Sequence, residues 1–213
     1  MKTAIVGASG YAGTELLRLL LDHPNFEPTV ITAHSNAGEL ITSVAPQLAK
    51  LGDRRFEAFE LAKVNACDLV FLALPHGESA ALIAQLDPNL KVIDLGADFR
   101  LTSAEKWAQY YGGTHAGTWT YGLPELPGQR EVIAKSTRVA NPGCYATSIS
   151  LAIAPALELI DIKDIVVVAA SGTTGAGRSA KVNLLGSEVM GSLSSYKFGG
   201  VHQHTPEIEE ALS

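Results

Sequence analysis

Charge, cysteine and long apolar runs are all scarce in this sequence of 213 residues, and each shortage removes a class of protein. Only 18% of the residues are charged, and 16 basic against 22 acidic side chains leave a net charge of -6 with no block of Lys or Arg. The electrostatic footprint of a nucleic-acid binder is therefore missing. Two cysteines, Cys67 and Cys144, make neither a disulfide framework nor a zinc spacing, which points to a reduced, cytoplasmic compartment. No apolar run approaches the roughly 20 residues that span a bilayer. Met1 to Val6 runs straight into a glycine motif, leaving no room for a secretion signal. What is present is ordinary for a globular protein: 46% hydrophobic residues, enough for a sizeable core. The expectation is a soluble protein of one large or two small domains whose partners are small molecules, with no membrane or nucleic acid among them.

The N-terminal third is the most legible. Ala4-Ile5-Val6 is a short buried strand, Gly7-Ala8-Ser9-Gly10-Tyr11-Ala12-Gly13 a turn, and Thr14 to His23 a helix with a leucine face. Gly-x-x-Gly-x-x-Gly in that setting is a variant of the dinucleotide fingerprint, in which glycines allow close backbone approach to a pyrophosphate seated on a helix N-terminus. The plainer alternative is a tight turn with no ligand. Gly7, Ser9, Gly10, Tyr11, Ala12 and Gly13 are the candidate contacts. The next strand, Pro28 to Ala33, ends in His34-Ser35-Asn36, where an NAD site usually places a carboxylate for the ribose hydroxyl. Neutral donors there, Ser35 among them, accept a 2′-phosphate, so NADP is expected over NAD. Further strands are expected at 68–74, which ends at the candidate cofactor contact Pro75, at 91–95 and at 138–140, with a weaker one at 56–61.

Ala140-Asn141-Pro142-Gly143-Cys144-Tyr145-Ala146-Thr147-Ser148 carries the clearest chemistry. A Pro-Gly break precedes Cys144, and the apolar run 149–160 reads as a helix beginning at or beside it. Unpaired N–H groups and the positive end of the helix dipole favour thiolate there, the state of a nucleophile. The alternative is a small buried apolar residue, as most free cysteines are. Asp164 to Ala170 reads as a strand, followed by a second glycine-rich loop whose Ser171, Gly172 and Gly175 are candidate cofactor contacts. Arg100 lies just past a strand end, where its planar fork suits a phosphate or carboxylate of the substrate; an ion pair with Asp98 or Glu105 is the alternative. Thr205 is expected to cap a helix with Pro206 at its first position, and His202 and His204 flank that start. His-x-His is half a metal pattern, but no third ligand follows, so no metal is expected. A cysteine-dependent enzyme needs an acid/base near neutrality, and His204, nearer the helix start, is preferred over His202.

In these motifs together, the chain resembles the N-acetyl-gamma-glutamyl-phosphate reductases of arginine biosynthesis, relatives of the aspartate-semialdehyde dehydrogenases. The resemblance rests on 7–13, 140–147 and Gly200-Val201-His202-Gln203-His204-Thr205-Pro206-Glu207, joined by Asp98-Phe99-Arg100-Leu101 and Tyr121-Gly122-Leu123-Pro124-Glu125. It implies an α/β architecture: a Rossmann-type parallel-sheet domain over 1–142 that binds NADP, then the start of an α+β catalytic domain over 143–213. It also implies Cys144 as the nucleophile forming a thioester, a histidine of the 202/204 pair as acid/base, and Arg100 and Asn141 beside the substrate in a homo-oligomer. Family members are usually longer, with a large mixed sheet in the second domain, so that domain looks truncated. Aspartate-semialdehyde dehydrogenase chemistry on a shorter substrate, or a non-catalytic NADP-binding regulator, are the rival readings.

Overall fold

The computed structural model describes all residues, 1–213. In chain order its first half runs β1 (Lys2–Val6), α1 (Tyr11–Leu21), β2 (Glu27–Thr32), α2 (Ile41–Val44), α3 (Leu61–Asn65), β3 (Leu69–Leu72), α4 (Ser79–Ile83) and β4 (Lys91–Asp94). Then follow α5 (Ala104–Tyr110), β5 (Thr120–Tyr121), α6 (Gln129–Lys135), β6 (Arg138–Ala140), α7 (Cys144–Ile153), α8 (Gly186–Val189) and α9 (Thr205–Ala211). The six strands form one sheet in the order β2-β1-β3-β4-β6-β5, and every pairing is parallel.

A parallel sheet of this kind needs apolar residues on both faces, because helices and connections cover each side. Side chains alternate along the strands. Ile5, Ile31, Leu69 and Phe71 therefore pack on one face against Leu17 and Leu20 of α1, with Leu48 and Phe56. Ala4, Val6, Val30, Val70, Leu72 and Val92 pack on the other against Val64 and Leu86. β1 sits between β2 and β3, so the chain leaves it in opposite directions, and the turn after β1 lies at the switch point where open α/β sheets bind ligands.

Several expected elements are modified. The helix after Cys144 ends at Ile153, because Pro155 has no N–H to continue the ladder and the chain tightens into a 3₁₀ turn over 154–156. The expected strand at 56–61 is reduced to two isolated bridges, Thr32 with Glu57 and Leu40 with Arg55. The strand expected at 164–170 is not formed: 162–164 is a 3₁₀ turn, and Val166 and Val168 are 85% and 97% exposed. A strand needs a neighbour to take its N–H and C=O groups, and this run lies against neither edge of the sheet. At the tail, His204 rather than Thr205 occupies the cap position of α9, with no side-chain cap, while Pro206 and Glu207 lie in the first turn as expected. α9 returns to the sheet domain. The Thr102 backbone N–H donates to Glu210 Oε2 (2.8 Å), and Lys106 pairs with Glu209 (3.0 Å).

Candidate active site

The glycine turn is pressed onto the sheet. Gly7 has φ +84, and a Cβ there would lie 2.4 Å from the Ala73 carbonyl oxygen; a Cβ on Gly13 would lie 2.6 Å from the Gly7 carbonyl oxygen. Only glycine fits such an approach. Gly10 caps α1 without a side-chain acceptor, which leaves the first-turn N–H groups from Tyr11 to Gly13 open in a dipole-favoured anion cradle. The residues present thus fit a dinucleotide pyrophosphate. The second glycine-rich loop comes to the same place: Arg178 donates to the Ser9 carbonyl (2.8 Å) and the Val44 carbonyl (3.2 Å) and lies 5.9 Å from the Tyr11 ring centre. Ser171, Gly172 and Gly175 sit exposed just before it.

Ser35 is exposed beyond β2. Its loop is closed by a stretch that sequence reasoning left without chemistry. Phe56 is buried, its N–H donates to the Glu39 carbonyl (3.0 Å), and its carbonyl accepts from the Gly38 N–H (2.8 Å). Arg55 Nη1 donates to the Gly38 carbonyl (2.8 Å), so an exposed guanidinium stands on the loop after β2. The loop after β3, with Pro75, is held by Asp98, whose carboxylate accepts from the Gly77 N–H (2.7 Å) and the Ala80 N–H (3.1 Å). His76 Nδ1 accepts from the Ala97 N–H (3.1 Å), which makes this histidine a brace for the turn. Asp94, fully buried at the end of β4, takes the Ser79 hydroxyl (2.8 Å), and burial pushes its carboxyl up.

Around the cysteine, β6 delivers the chain to Asn141, whose N–H donates to the Asp94 carbonyl (2.8 Å). Gly143 is the extended cap residue of α7, and Cys144 is the exposed first residue of that helix. The cap carries no side-chain acceptor, so the first-turn N–H groups remain open beside the thiol. His204 packs directly on this turn: a Cβ on Gly143 would lie 2.4 Å from His204 Nε2. Burial, then the charge of Arg100, hold His204 down at about 3, so its ring is neutral, and its Nδ1 has no partner. His202 is half-buried. Its Nδ1 accepts from the His204 N–H (3.0 Å), which fixes the ring proton on Nε2, and its ring lies 5.0 Å from that of Tyr145.

Arg100, expected beside the substrate with a surface ion pair as the alternative, is 6% exposed and pairs with neither Asp98 nor Glu105; its Nε donates to the Asn141 carbonyl (2.7 Å) and its Nη2 to the Leu95 carbonyl (2.9 Å). Nη1 lies 3.5 Å from Glu207 Oε2. A guanidinium spent on three internal acceptors braces the cysteine turn. The partner acid, Glu207, is 1% exposed; its Oε1 accepts from the Gly143 N–H (2.7 Å) and the Tyr121 hydroxyl (2.9 Å). Burial, with the Glu207 charge beside it, pushes the Tyr121 hydroxyl up. Asn141 itself is exposed beside Cys144. The resemblance already implied a histidine of the 202/204 pair acting with Cys144; that Glu207 and Tyr121 meet at the same turn was not visible in sequence.

Residues 2–136 match the semialdehyde dehydrogenase NAD-binding domain, and 144–213 the dimerisation domain of the same family. The chain belongs to the semialdehyde dehydrogenase family. Among its relatives, the N-acetyl-gamma-glutamyl-phosphate reductase of Acidothermus cellulolyticus is 61% identical over 214 residues, covering 100% of this chain and 62% of that protein. The protein of the same name from Salinispora arenicola is also 61% identical, over 213 residues, covering 99% of this chain and 63% of its own. The chain thus spans less than two thirds of the length of these relatives. In fold, it is similar to aspartate semialdehyde dehydrogenase from Francisella tularensis, with a TM-score of 0.53 at 17% identity over 74% of this chain and 41% of that one. The Vibrio cholerae enzyme complexed with ASA gives 0.52 at 17%, over 75% and 47%. No helix is long and apolar enough to cross a membrane.

Proposed function

We propose that the protein reduces N-acetyl-gamma-glutamyl phosphate to the corresponding semialdehyde with NADPH, as the names of its 61%-identical relatives imply. The observation that carries the reading is Cys144, an exposed thiol at the open N-terminus of α7, with His204 against the preceding Gly143 and His202 against the following Tyr145. Cys144 thiolate attacks the acyl phosphate carbonyl, the carbon–oxygen bond to phosphate breaks, and a thioester forms. NADPH supplies the hydride that reduces it. His202 presents Nε2–H to the oxygen that gains charge as hydride arrives, and its half-open ring is recharged from solvent. The resulting hemithioacetal collapses to aldehyde and thiol.

His202 takes this role ahead of His204, reversing the preference drawn from sequence. An imidazole held at about 3 is too weak a base to exchange protons near neutrality; His204 shapes the turn and orients His202 through its backbone N–H. Gly7 to Gly13, with Ser171, Gly172 and Gly175 in the loop that ends at Arg178, hold the pyrophosphate and nicotinamide half of the cofactor. Ser35 and Arg55 receive the 2′-phosphate that distinguishes NADP. The second matched region, a dimerisation domain, supports a homo-oligomer, and the reduced cysteines support a cytoplasmic setting.

The test is Cys144→Ser, assayed for phosphate-dependent NADP reduction with N-acetylglutamate semialdehyde and with aspartate semialdehyde. Loss of turnover with NADPH binding intact, and a wild-type preference for the acetylated substrate, support the reading. Turnover retained in the variant overturns it.

A further inference from the structure

Glu207 is the one carboxylate that touches the backbone of the cysteine turn, and the mechanism above gives it no step. Its Oε1 accepts from the Gly143 N–H at 2.7 Å and from the Tyr121 hydroxyl at 2.9 Å, while Oε2 faces Arg100 Nη1 at 3.5 Å. Three separate parts of the chain therefore meet on one buried side chain: α9, which carries it; β5, which carries Tyr121; and the turn that ends in Cys144. Arg100 closes the ring, since its Nε holds the Asn141 carbonyl at 2.7 Å on the other side of Pro142. The turn of 141–143 is thus gripped at its first carbonyl by a cation and at its last N–H by an anion, two residues apart.

We propose that Glu207 is a positioning residue that sets the place of Cys144 through the Gly143 N–H, with Arg100 and Tyr121 fixing the carboxylate in turn. This rests on the reading of Cys144 as nucleophile and adds how it is aimed. The physical reasons are two. Gly143 is the cap residue of α7, so its N–H lies outside the helical ladder and must find a partner elsewhere; a buried N–H left unpaired is costly. The partner it finds is a charge-assisted acceptor held by two further donors, which leaves it little freedom to rotate. A bare carboxylate beside a developing thiolate would oppose ionisation, and Arg100 offsets that charge at 3.5 Å. The arrangement gives the cysteine turn a rigid anchor without a net negative field. It also explains why Glu207 and Arg100, though 107 positions apart, are both nearly inaccessible, with side chains 1% and 4% exposed.

The experiment compares Glu207→Gln with Glu207→Asp in the whole protein. Gln keeps an oxygen that reaches the Gly143 N–H and loses the charge; Asp keeps the charge and is one methylene too short to reach. The rate of Cys144 alkylation by iodoacetamide at one fixed pH, kcat, the NADPH dissociation constant and hydrogen exchange of the Gly143 amide are measured for both. Positioning predicts that Gln stays within about threefold of wild type in alkylation and kcat. Asp should lose about tenfold or more, the cost expected when a reacting group is displaced by a fraction of its 1 Å tolerance. NADPH binding should be unchanged in both, and the Gly143 amide should lose protection only in Asp. An Asp variant that matches or exceeds Gln in alkylation and kcat, or a pair of folded variants with wild-type rates, overturns the proposal. Failure of the nucleophile reading is separate: it shows as turnover in Cys144→Ser, while protection of the Gly143 amide by Glu207 in the native protein would stand.

Discussion

Replacing Gly143 with alanine tests the geometry of the site more severely than replacing any titrating group. The backbone at Gly143, φ -67 and ψ 154, is one that alanine adopts without strain, so the cost must come from contact alone. The added methyl would lie 2.4 Å from His204 Nε2, 2.5 Å from Cε1 and 2.8 Å from Cδ2, against an ordinary contact of 3.4–4 Å. The ring or the turn must therefore move by about 1 Å to restore 3.4 Å from 2.4 Å. His204 is 7% exposed, with Gly143 on one side and the Arg100 cluster near it, so it has little room to retreat. Overpacking of this kind costs about 1–3 kcal/mol, and a displacement near 1 Å at a reacting group costs about a hundredfold in rate. The expected outcome is a folded protein, destabilised by that amount in urea, with kcat/KM down about a hundredfold. A second change makes the reasoning refutable: in a His204→Ala background the methyl has space, so the two stability losses should fall short of additive by about 1 kcal/mol or more. Gly186→Ala, whose methyl would meet only Met190 Sδ at 3.7 Å, serves as the harmless control. Strict additivity of the Gly143 and His204 changes would refute the steric account, as would wild-type kcat/KM in Gly143→Ala.

Two further outcomes follow from other parts of the molecule. Arg55→Ser should weaken NADPH binding by about ten- to a hundredfold, the loss of one hydrogen bond to a charged group, and leave NADH binding unchanged; isothermal titration with both cofactors checks it, and an equal effect on both would remove Arg55 from the 2′-phosphate site. His204, ordinarily near 6.5 and held at about 3 in the fold, binds its proton more readily when unfolded. Its depressed value therefore contributes stability that is whole above about 6.5 and drains away as the pH falls toward 3, by at most about 1.4 kcal/mol per pH unit. Urea unfolding between those limits should show a shallower pH slope in His204→Asn than in the wild type, and parallel slopes would contradict the burial of a neutral ring.

The parts of the fold that were legible in sequence are those where local pattern and tertiary role coincide. β3 reads as a continuous apolar run because both its faces are covered, and β6 begins and ends where its three residues suggest. The turn after β1 declares itself because glycine is sterically required at 7 and 13. Where a residue's role depends on a partner far along the chain, pattern is silent. Arg100 sits at a strand end and carries a fork suited to anions, and nothing local to it reveals that the anion is Glu207, 107 positions away, with the Asn141 and Leu95 carbonyls taking the other donors. The run 164–170 shows the converse: its composition favours a strand, but a strand is a property of a pair, and no partner lies alongside it.

The two histidines make the same point about electrostatics. The sequence favours His204 only because it stands nearer the helix start, whose dipole is the local charge on that ring. Packing places that ring against Gly143 and within the field of Arg100, and burial dominates the dipole. His202, two residues earlier, is only half-buried; burial and the Lys197 charge lower it as well, but its ring keeps some exposure, with Nδ1 tied to the backbone, Nε2 3.4 Å from the Tyr196 hydroxyl and the ring 5.0 Å from that of Tyr145. Burial lowers both rings, His204 the further to about 3, and how deeply each is desolvated is a tertiary quantity that spacing in the sequence does not encode.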